Sequence, residues 1–279
     1  MSFCSRLSQA AHEPFAGTGV QARAYVFLPV AKRHWRDRAL NRLWASEAEL
    51  AAIQAAQRAG VSTRLYNPNA ESAPALVHAA DAAPDGLAPL LDVVRRRWRI
   101  DSTGSARLAI CTHGTRDRCC AKFGFATYQA ARRLYEAGLS PFAPIECSHL
   151  GGDRFAATGI FFPSGSMYAH MDAVDLERLC ATEAAGRLEP THYRGRVFEP
   201  PLVQVVRAGL ARAGVSHDSA GPLTVSEDAD SAVEAEVSGR RYRVKLRIAE
   251  VAFYGSCEAA GAAKRSRARR RVFEGVEAL

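Results

Sequence analysis

Cysteines are concentrated in one short stretch of the chain, "LAICTHGTRDRCCAKFG", residues 108–124. Cys111, Cys119 and Cys120 lie within ten positions there, although the whole chain has only seven cysteines. Cys119 and Cys120 precede a pattern typical of a helix over 121–138. Free N–H groups and the helix dipole at such a beginning favour the thiolate, which is the form that binds metals. The C-x8-C pair Cys111 and Cys120 therefore predicts half of a metal site.

A second group of possible ligands follows in "ECSHLGGDRFA", residues 146–156. Cys147, His149 and Asp153 stand there beside a Gly-Gly turn, directly after a predicted strand over 142–147. We expect the end of this strand and the cysteine loop to be neighbours, so that the two half-sites converge. Sulfur and imidazole ligands suit zinc or an iron–sulfur cluster far better than magnesium or calcium.

The segments around both loops predict a thioredoxin-like unit. The predicted elements are a strand over 107–112, a helix over 121–138, a strand over 142–147, a hairpin joined at 163–166, and a helix over 172–186. This order gives a mixed sheet with parallel and antiparallel strand pairs, and it places the cysteine loop between the first strand and the first helix.

The N-terminal part of the chain predicts a βαβ unit. A nearly continuous apolar run over 22–30 indicates a strand buried on both faces. A helix over 46–60 has a capping box formed by Ser46 and Glu49, and a second strand follows over 61–66. Strand, helix and strand in this order imply parallel pairing with a right-handed crossover.

Composition suggests how the chain is divided. Residues 67–86, rich in Ala, Pro, Asn and Asp, are predicted to form a loop or linker, and "DSTGSA" (101–106) is the best boundary in the first half. We expect an N-terminal α/β region over 1–100, a thioredoxin-like domain over 101–187, and a small helix-plus-hairpin region over 188–279. The predicted fold class is thus α/β: a thioredoxin-like mixed sheet with flanking helices, preceded by a βαβ-type region and followed by a small α+β region.

The C-terminal region carries much of the net charge of +8. A helix is predicted over 200–214 and a hairpin over 231–251, whose second strand alternates apolar with basic residues. The basic residues are Arg241, Arg243, Lys245 and Arg247. The run "KRSRARRR" (264–271) is interpreted as a solvated basic tail, because no aromatic platform or nucleic-acid-binding motif accompanies it. An acidic protein partner is the alternative for these surfaces, and nucleic acid is not favoured.

The remaining composition points to a reduced compartment. No run approaches the roughly 18 apolar residues of a membrane helix, and the N-terminal segment lacks the apolar stretch of a secretory signal. We therefore expect a cytoplasmic protein without membrane partners. Cys4, Cys180 and Cys257 are isolated in the sequence and are interpreted as small buried hydrophobic residues.

Two motifs in order make the chain similar to a known family. "CTHGTRDRCCAKFG" followed by "ECSHLGGDRFAATGIFFPSG" resembles the bacterial sucrase/ferredoxin-like family of thioredoxin-like ferredoxins, and "CSRLSQAAHEPFAGTG" resembles the opening of its members. The likeness covers residues 4–190 and continues more weakly near residue 257. It implies a [2Fe–2S] cluster and a one-electron carrier that meets a separate reductase or acceptor protein, possibly an acidic one.

The resemblance also implies a ligand set. Relatives bind one iron through a C-x8-C pair, which matches Cys111 and Cys120, and the other through an H-x3-H pair. His149 matches the first histidine of that second pair, but Asp153 stands at the second position. The fourth ligand is therefore Asp153 or Cys147, with Cys119 as the alternative sulfur if the register of the loop differs by one. His113 and Arg116 in the cysteine loop are candidates for tuning the cluster.

Two other functions use the same residues. A structural zinc site would need four ligands, and Cys111, Cys120, Cys147 and His149 would supply them. A thiol–disulfide oxidoreductase would use Cys119 and Cys120, but the C-x-x-C spacing is absent and adjacent residues project about 100° apart on a helix. The chain contains no G-x-G-x-x-G or Walker pattern, so no nucleotide site is predicted. This favours an electron carrier over an enzyme with its own substrate pocket.

Overall fold

The computed structural model of the chain describes residues 2–36, 39–80, 84–215, 218, 221–229 and 232–279. Its helices are α1 (Cys4–Ala10), α2 (Glu47–Arg58), α3 (Leu87–Arg95), α4 (Phe125–Glu136), α5 (Leu176–Ala184), α6 (Pro201–Arg212) and α7 (Cys257–Gly261). Its strands are β1 (Ala24–Pro29), β2 (Val61–Tyr66), β3 (Ala75–Ala79), β4 (Ile100–Asp101), β5 (Arg107–Cys111), β6 (Ala143–Cys147), β7 (Gly159–Phe162), β8 (Ser166–Tyr168), β9 (Tyr193–Arg196), β10 (Thr224–Ala229), β11 (Ala232–Val237), β12 (Arg240–Phe253) and β13 (Ser266–Ala278).

A large mixed sheet forms the centre of the fold. Among the described residues it has nine strands, in the order β4-β3-β1-β2-β6-β5-β7-β8-β9. β5 pairs with β6 in parallel and with β7 antiparallel, and β7 pairs with β8 antiparallel. With α4 between β5 and β6, this is the strand–helix–strand–hairpin order expected from the sequence. The α/β class with a thioredoxin-like mixed sheet is confirmed.

The βαβ unit at the N-terminus is also confirmed. β1 pairs in parallel with β2 through α2, and all six residues of β1 are buried, as a continuous apolar run predicts. The Ser46 hydroxyl accepts from the Glu49 amide at 3.2 Å, and the Ser46 amide donates to the Glu49 carboxylate at 2.6 Å. This capping box fixes where α2 begins.

The predicted linker over 67–86 is wrong in its central part. Ala75–Ala79 form β3, which pairs antiparallel with β1. The Ala, Pro and Asn residues around this segment are typical of a loop, so the sequence did not indicate a strand. The segment forms a strand because it pairs with β1. Residues 81–83 of the predicted linker lie outside the described part of the chain.

Two strand pairings connect regions that the sequence separates. β2 pairs with β6 at Tyr66↔Cys147, so strands from both sides of residue 101 belong to one sheet. β9, which lies beyond residue 187, pairs with β8 in that same sheet. The division at 1–100, 101–187 and 188–279 stays a prediction.

The C-terminal residues form a second, antiparallel sheet in the order β10-β11-β12-β13. Val244 and Leu246 of β12 pack with Val206 and Leu210 of α6, which confirms an apolar face on the predicted hairpin. The first residue of that predicted hairpin, 231, lies outside the described residues.

The basic run is not a tail. Most of 264–271 belongs to β13, which pairs with β12 from Phe253↔Ser266 onward. The interpretation as a tail was wrong because the apolar residues that anchor this strand, Phe273 and Val276, come after the run. The exposed row on β12 is partly neutralised by glutamates. Its cross-strand ion pairs are Arg243–Glu234, Lys245–Glu277 and Arg247–Glu274.

Candidate metal centre

The cysteine loop is held at the end of β5 by a close contact between helix and strand. Residues Cys120–Gly124 form a π-helical turn that continues into α4, and such turns are frequent at functional sites. A Cβ atom on Gly124 would lie 2.0 Å from the carbonyl oxygen of Cys111. Only glycine therefore allows the helix to begin against the strand end, and this contact brings Cys120 to Cys111.

Two sulfurs and an imidazole meet at this point. The Sγ atoms of Cys111 and Cys120 and a ring nitrogen of His149 all lie within 4.8 Å of one another. Both cysteines are buried, whereas the His149 side chain is 28% exposed. The site is therefore closed on its sulfur side and open on its imidazole side. The parallel pairing of β5 with β6 explains the convergence, because both loops leave the same edge of the sheet.

Asp153 contacts two members of this group, Cys120 and His149, whereas Cys147 forms no such contact among the described residues. The Cys120 thiol donates to Asp153 Oδ1 at 3.5 Å, and His149 Nδ1 lies 3.0 Å from the same oxygen. Gly151 and Gly152, with φ of 91° and 80°, supply the turn that returns Asp153 to the loop. Cys147 is the β6 partner of Cys111 and is fully buried in the apolar core.

The charges in the site depend on one another. Burial opposes the imidazolium of His149, but contacts with Asp153 and Cys111 outweigh it and raise its pKa to about 9. The Cys120 thiol and then His149 stabilise the thiolate of Cys111, whose pKa falls well below its usual value. Contact with Cys111, together with burial, raises the pKa of Cys120 well above its usual value. The thiolate of Cys111 and the imidazolium of His149 therefore stabilise each other.

Neighbouring residues fix the orientation of the histidine loop. The His149 amide donates to Nδ1 of His113 at 3.2 Å. His113 must therefore carry its proton on Nε2, which donates to the Arg36 carbonyl at 2.7 Å. Arg116 Nε lies 3.9 Å from Asp153 Oδ2. Both residues that the sequence singled out beside the cysteines thus contact the histidine loop, and their tuning role stays a prediction.

A second group of thiols surrounds Cys119. Cys4, Cys119 and Cys257 lie together with Asp117, all four buried and all ligand atoms within 4.8 Å of one another. Cys119 therefore faces away from Cys111 and does not replace Cys120. The sequence interpretation of Cys4 and Cys257 as merely buried missed this group, because more than a hundred residues separate each from Cys119 and no spacing motif links them. Cys180 is buried in the core as expected.

The fold and these side chains define an α/β protein with buried cysteine groups of the kind that bind metals. Residues 15–195, more than half of the chain, match the family model described as sucrase/ferredoxin-like, and the chain belongs to that family. No curated protein and no solved structure matches it. Within the described ranges, no helix has the length and apolar character needed to cross a membrane.

Proposed function

We propose that this protein is a one-electron carrier that holds a [2Fe–2S] cluster on Cys111, Cys120, His149 and Asp153. The observation that carries the proposal is the meeting of two thiols, an imidazole and a carboxylate from two loops at one sheet edge. Membership of the sucrase/ferredoxin-like family supports it.

The donor atoms present fit such a group. His149 Nδ1 is buried and has no aligned hydrogen-bond partner among the described residues, although Asp153 lies 3.0 Å away. The Asp153 contact is therefore an ion pair without a well-aligned hydrogen bond, and a metal bound at this nitrogen would satisfy it. Thiolate and imidazole donors select iron–sulfur clusters or zinc over magnesium and calcium.

The contacts favour Asp153 over Cys147 as the fourth ligand. Asp153 touches both Cys120 and His149, whereas Cys147 lies in the apolar core and outside the group. A carboxylate at this position is the departure from the H-x3-H pattern of relatives, and Arg116 beside it would offset part of its negative charge.

When bound, the cluster supplies a one-electron redox couple. The chain's own residues set the environment of the cluster. Burial of Cys111 and Cys120 excludes water from that side, and the hydrogen bond to His113 positions the backbone of His149. An imidazole donates less charge than a thiolate and raises the potential, as in Rieske centres at about −150 to +300 mV compared with about −400 mV for plant-type ferredoxins.

The exposed edge of His149 is the place where an electron donor or acceptor would approach. It borders a surface cleft of about 420 Å³ whose lining includes Arg64, His113 and Arg116. Basic side chains at this edge and the net charge of +8 suit a partner with an acidic surface. The seven free cysteines suit a reducing compartment such as the cytoplasm.

The test is iron and sulfide analysis with a visible spectrum of protein purified without oxygen. We expect a brown protein with two irons per chain, and we expect Asp153→Ala to lose iron. Cys147→Ala is the matched control, because it removes a buried donor near the site but outside the group, and should retain the spectrum. Folded, colourless wild-type protein without iron would refute electron transfer, and zinc held by His149 would identify the structural alternative.

A further inference from the structure

The thiol group around Cys119 is separate from the proposed cluster site. Its three sulfurs form a closed triangle: Cys4 to Cys119 is 3.5 Å, Cys119 to Cys257 is 3.2 Å, and Cys257 to Cys4 is 3.7 Å. None of these thiols is in a disulfide, whose sulfurs would be about 2.05 Å apart.

The triangle is built from three remote parts of the chain. Cys4 is the first residue of α1, Cys119 directly precedes the π-helical turn, and Cys257 is the first residue of α7. Local structure does not place these residues together, because 115 and 138 positions separate Cys119 from the other two. The three thiols come together because α1 and α7 both pack against the cysteine loop in the tertiary structure.

A carboxylate is held beside the sulfurs by the backbone. Asp117 Oδ1 accepts from the Cys119 amide and Oδ2 accepts from the Cys257 amide, both at 2.7 Å. Asp117 Oδ1 lies 4.0 Å from Cys4 Sγ. Each carboxylate oxygen has a second lone pair, so Asp117 can offer one to an ion while keeping both backbone bonds.

We propose that Cys4, Cys119, Cys257 and Asp117 bind one zinc ion. In a tetrahedral site with zinc–sulfur bonds of about 2.3 Å, the sulfurs stand about 3.8 Å apart, and a carboxylate oxygen stands about 3.6 Å from each sulfur. The observed sulfur separations of 3.2–3.7 Å and the oxygen at 4.0 Å are close to these values. The three sulfurs are therefore close enough to one another to share one metal ion.

Such an ion would connect α1 and α7 to the cysteine loop. It would link α1 and α7 to the residue that precedes Cys120, and so hold one side of the loop while Gly124 holds the other. The site is fully buried and has four protein donors, which is typical of structural zinc rather than catalytic zinc.

The test begins with the wild-type protein. We expect one zinc per chain, and X-ray absorption at the zinc edge should show three sulfur neighbours and one oxygen neighbour. A shell that contains an imidazole would place the ion with His149 and overturn the proposal. Reduced protein that takes up no zinc from an equimolar solution, or that carries a disulfide between Cys119 and Cys257, would overturn it as well.

Single variants separate this site from the proposed cluster site. Cys257→Ala should reduce zinc from one per chain to near zero and leave the iron content unchanged, whereas Cys111→Ala should do the reverse. Cys180→Ala, which removes a buried cysteine outside both groups, should retain both metals. If Cys257→Ala does not fold, cobalt(II) added to zinc-depleted Cys111→Ala protein gives the answer: visible bands of tetrahedral thiolate coordination support the site, and their absence refutes it.

Discussion

Acid stability should depend on His78, a buried histidine in β3. Its ring stacks on Phe162 with centroids 4.1 Å apart, and Phe27 packs edge-on against it. Both ring nitrogens are buried and lack hydrogen-bond partners within the described part of the chain. Burial in this setting disfavours an imidazolium more than the charge of Asp101 favours it, so the folded state prefers the neutral ring.

The size of the effect follows from the pKa shift. Burial, with a smaller contribution from Arg107, lowers the pKa of His78 from 6.5 to about 4. Between these values the unfolded chain binds more protons than the folded chain, so the free energy of unfolding falls as the pH falls from 6.5 to 4. The stabilisation that comes from keeping His78 neutral is fully present above pH 6.5. A shift of about 2.5 pH units corresponds to about 3.4 kcal/mol in total, and to about 2.5 kcal/mol at pH 4.5.

The perturbation is His78→Phe, which keeps a flat ring against Phe162 and removes the titration. Urea unfolding at pH 7 should change by less than about 1.5 kcal/mol, because the swap nearly conserves volume. At pH 4.5 the variant should gain about 2.5 kcal/mol relative to wild type. Other acid-sensitive groups, such as buried His170, are common to both proteins and cancel in the difference. Parallel pH profiles for the two proteins would refute the reasoning.

Two further substitutions test the packing near and beyond the site. Gly124→Ala places a Cβ 2.0 Å from the carbonyl oxygen of Cys111. We expect the free energy of unfolding in urea to fall by about 3 kcal/mol and the bound iron to be lost. The control Gly275→Ala, whose Cβ meets open space, should change neither quantity. Glu199→Gln leaves the fully buried guanidinium of Arg207 without its bidentate partner, and thermal unfolding should show a loss of about 3 kcal/mol. Unchanged stability would contradict either prediction.

Local patterns account for what could be predicted of the fold. β1 is a continuous apolar run, residues 241–248 of β12 alternate between basic and apolar side chains, and α2 begins at a capping box. Each of these signals is contained within one element and is independent of distant partners. β3 has no such signal, because its five residues become a strand only beside β1.

The same distinction applies to the candidate site. Two motifs with short internal spacing identified Cys111, Cys120, His149 and Asp153, since each pair is presented by one loop. The different positions of Asp153 and Cys147 could not be predicted from the sequence. Cys147 is the last residue of β6 and is buried in the apolar core, whereas the glycine turn brings Asp153 back to Cys120. Cys4 and Cys257 have no other cysteine nearby in the sequence, so no spacing motif indicated that they join Cys119.

The adjacent pair Cys119 and Cys120 connects these observations. Neighbouring residues on a helix project about 100° apart, which argues against a disulfide-exchanging pair and allows each thiol to join a different group. Cys120 contacts Cys111 and Asp153, whereas Cys119 contacts Cys4 and Cys257. One peptide unit therefore separates the two groups in the sequence, although each has its own set of side chains. The double cysteine therefore has a physical reason in this fold: one residue faces the proposed redox centre, and its neighbour faces the proposed ion that holds the turn in place.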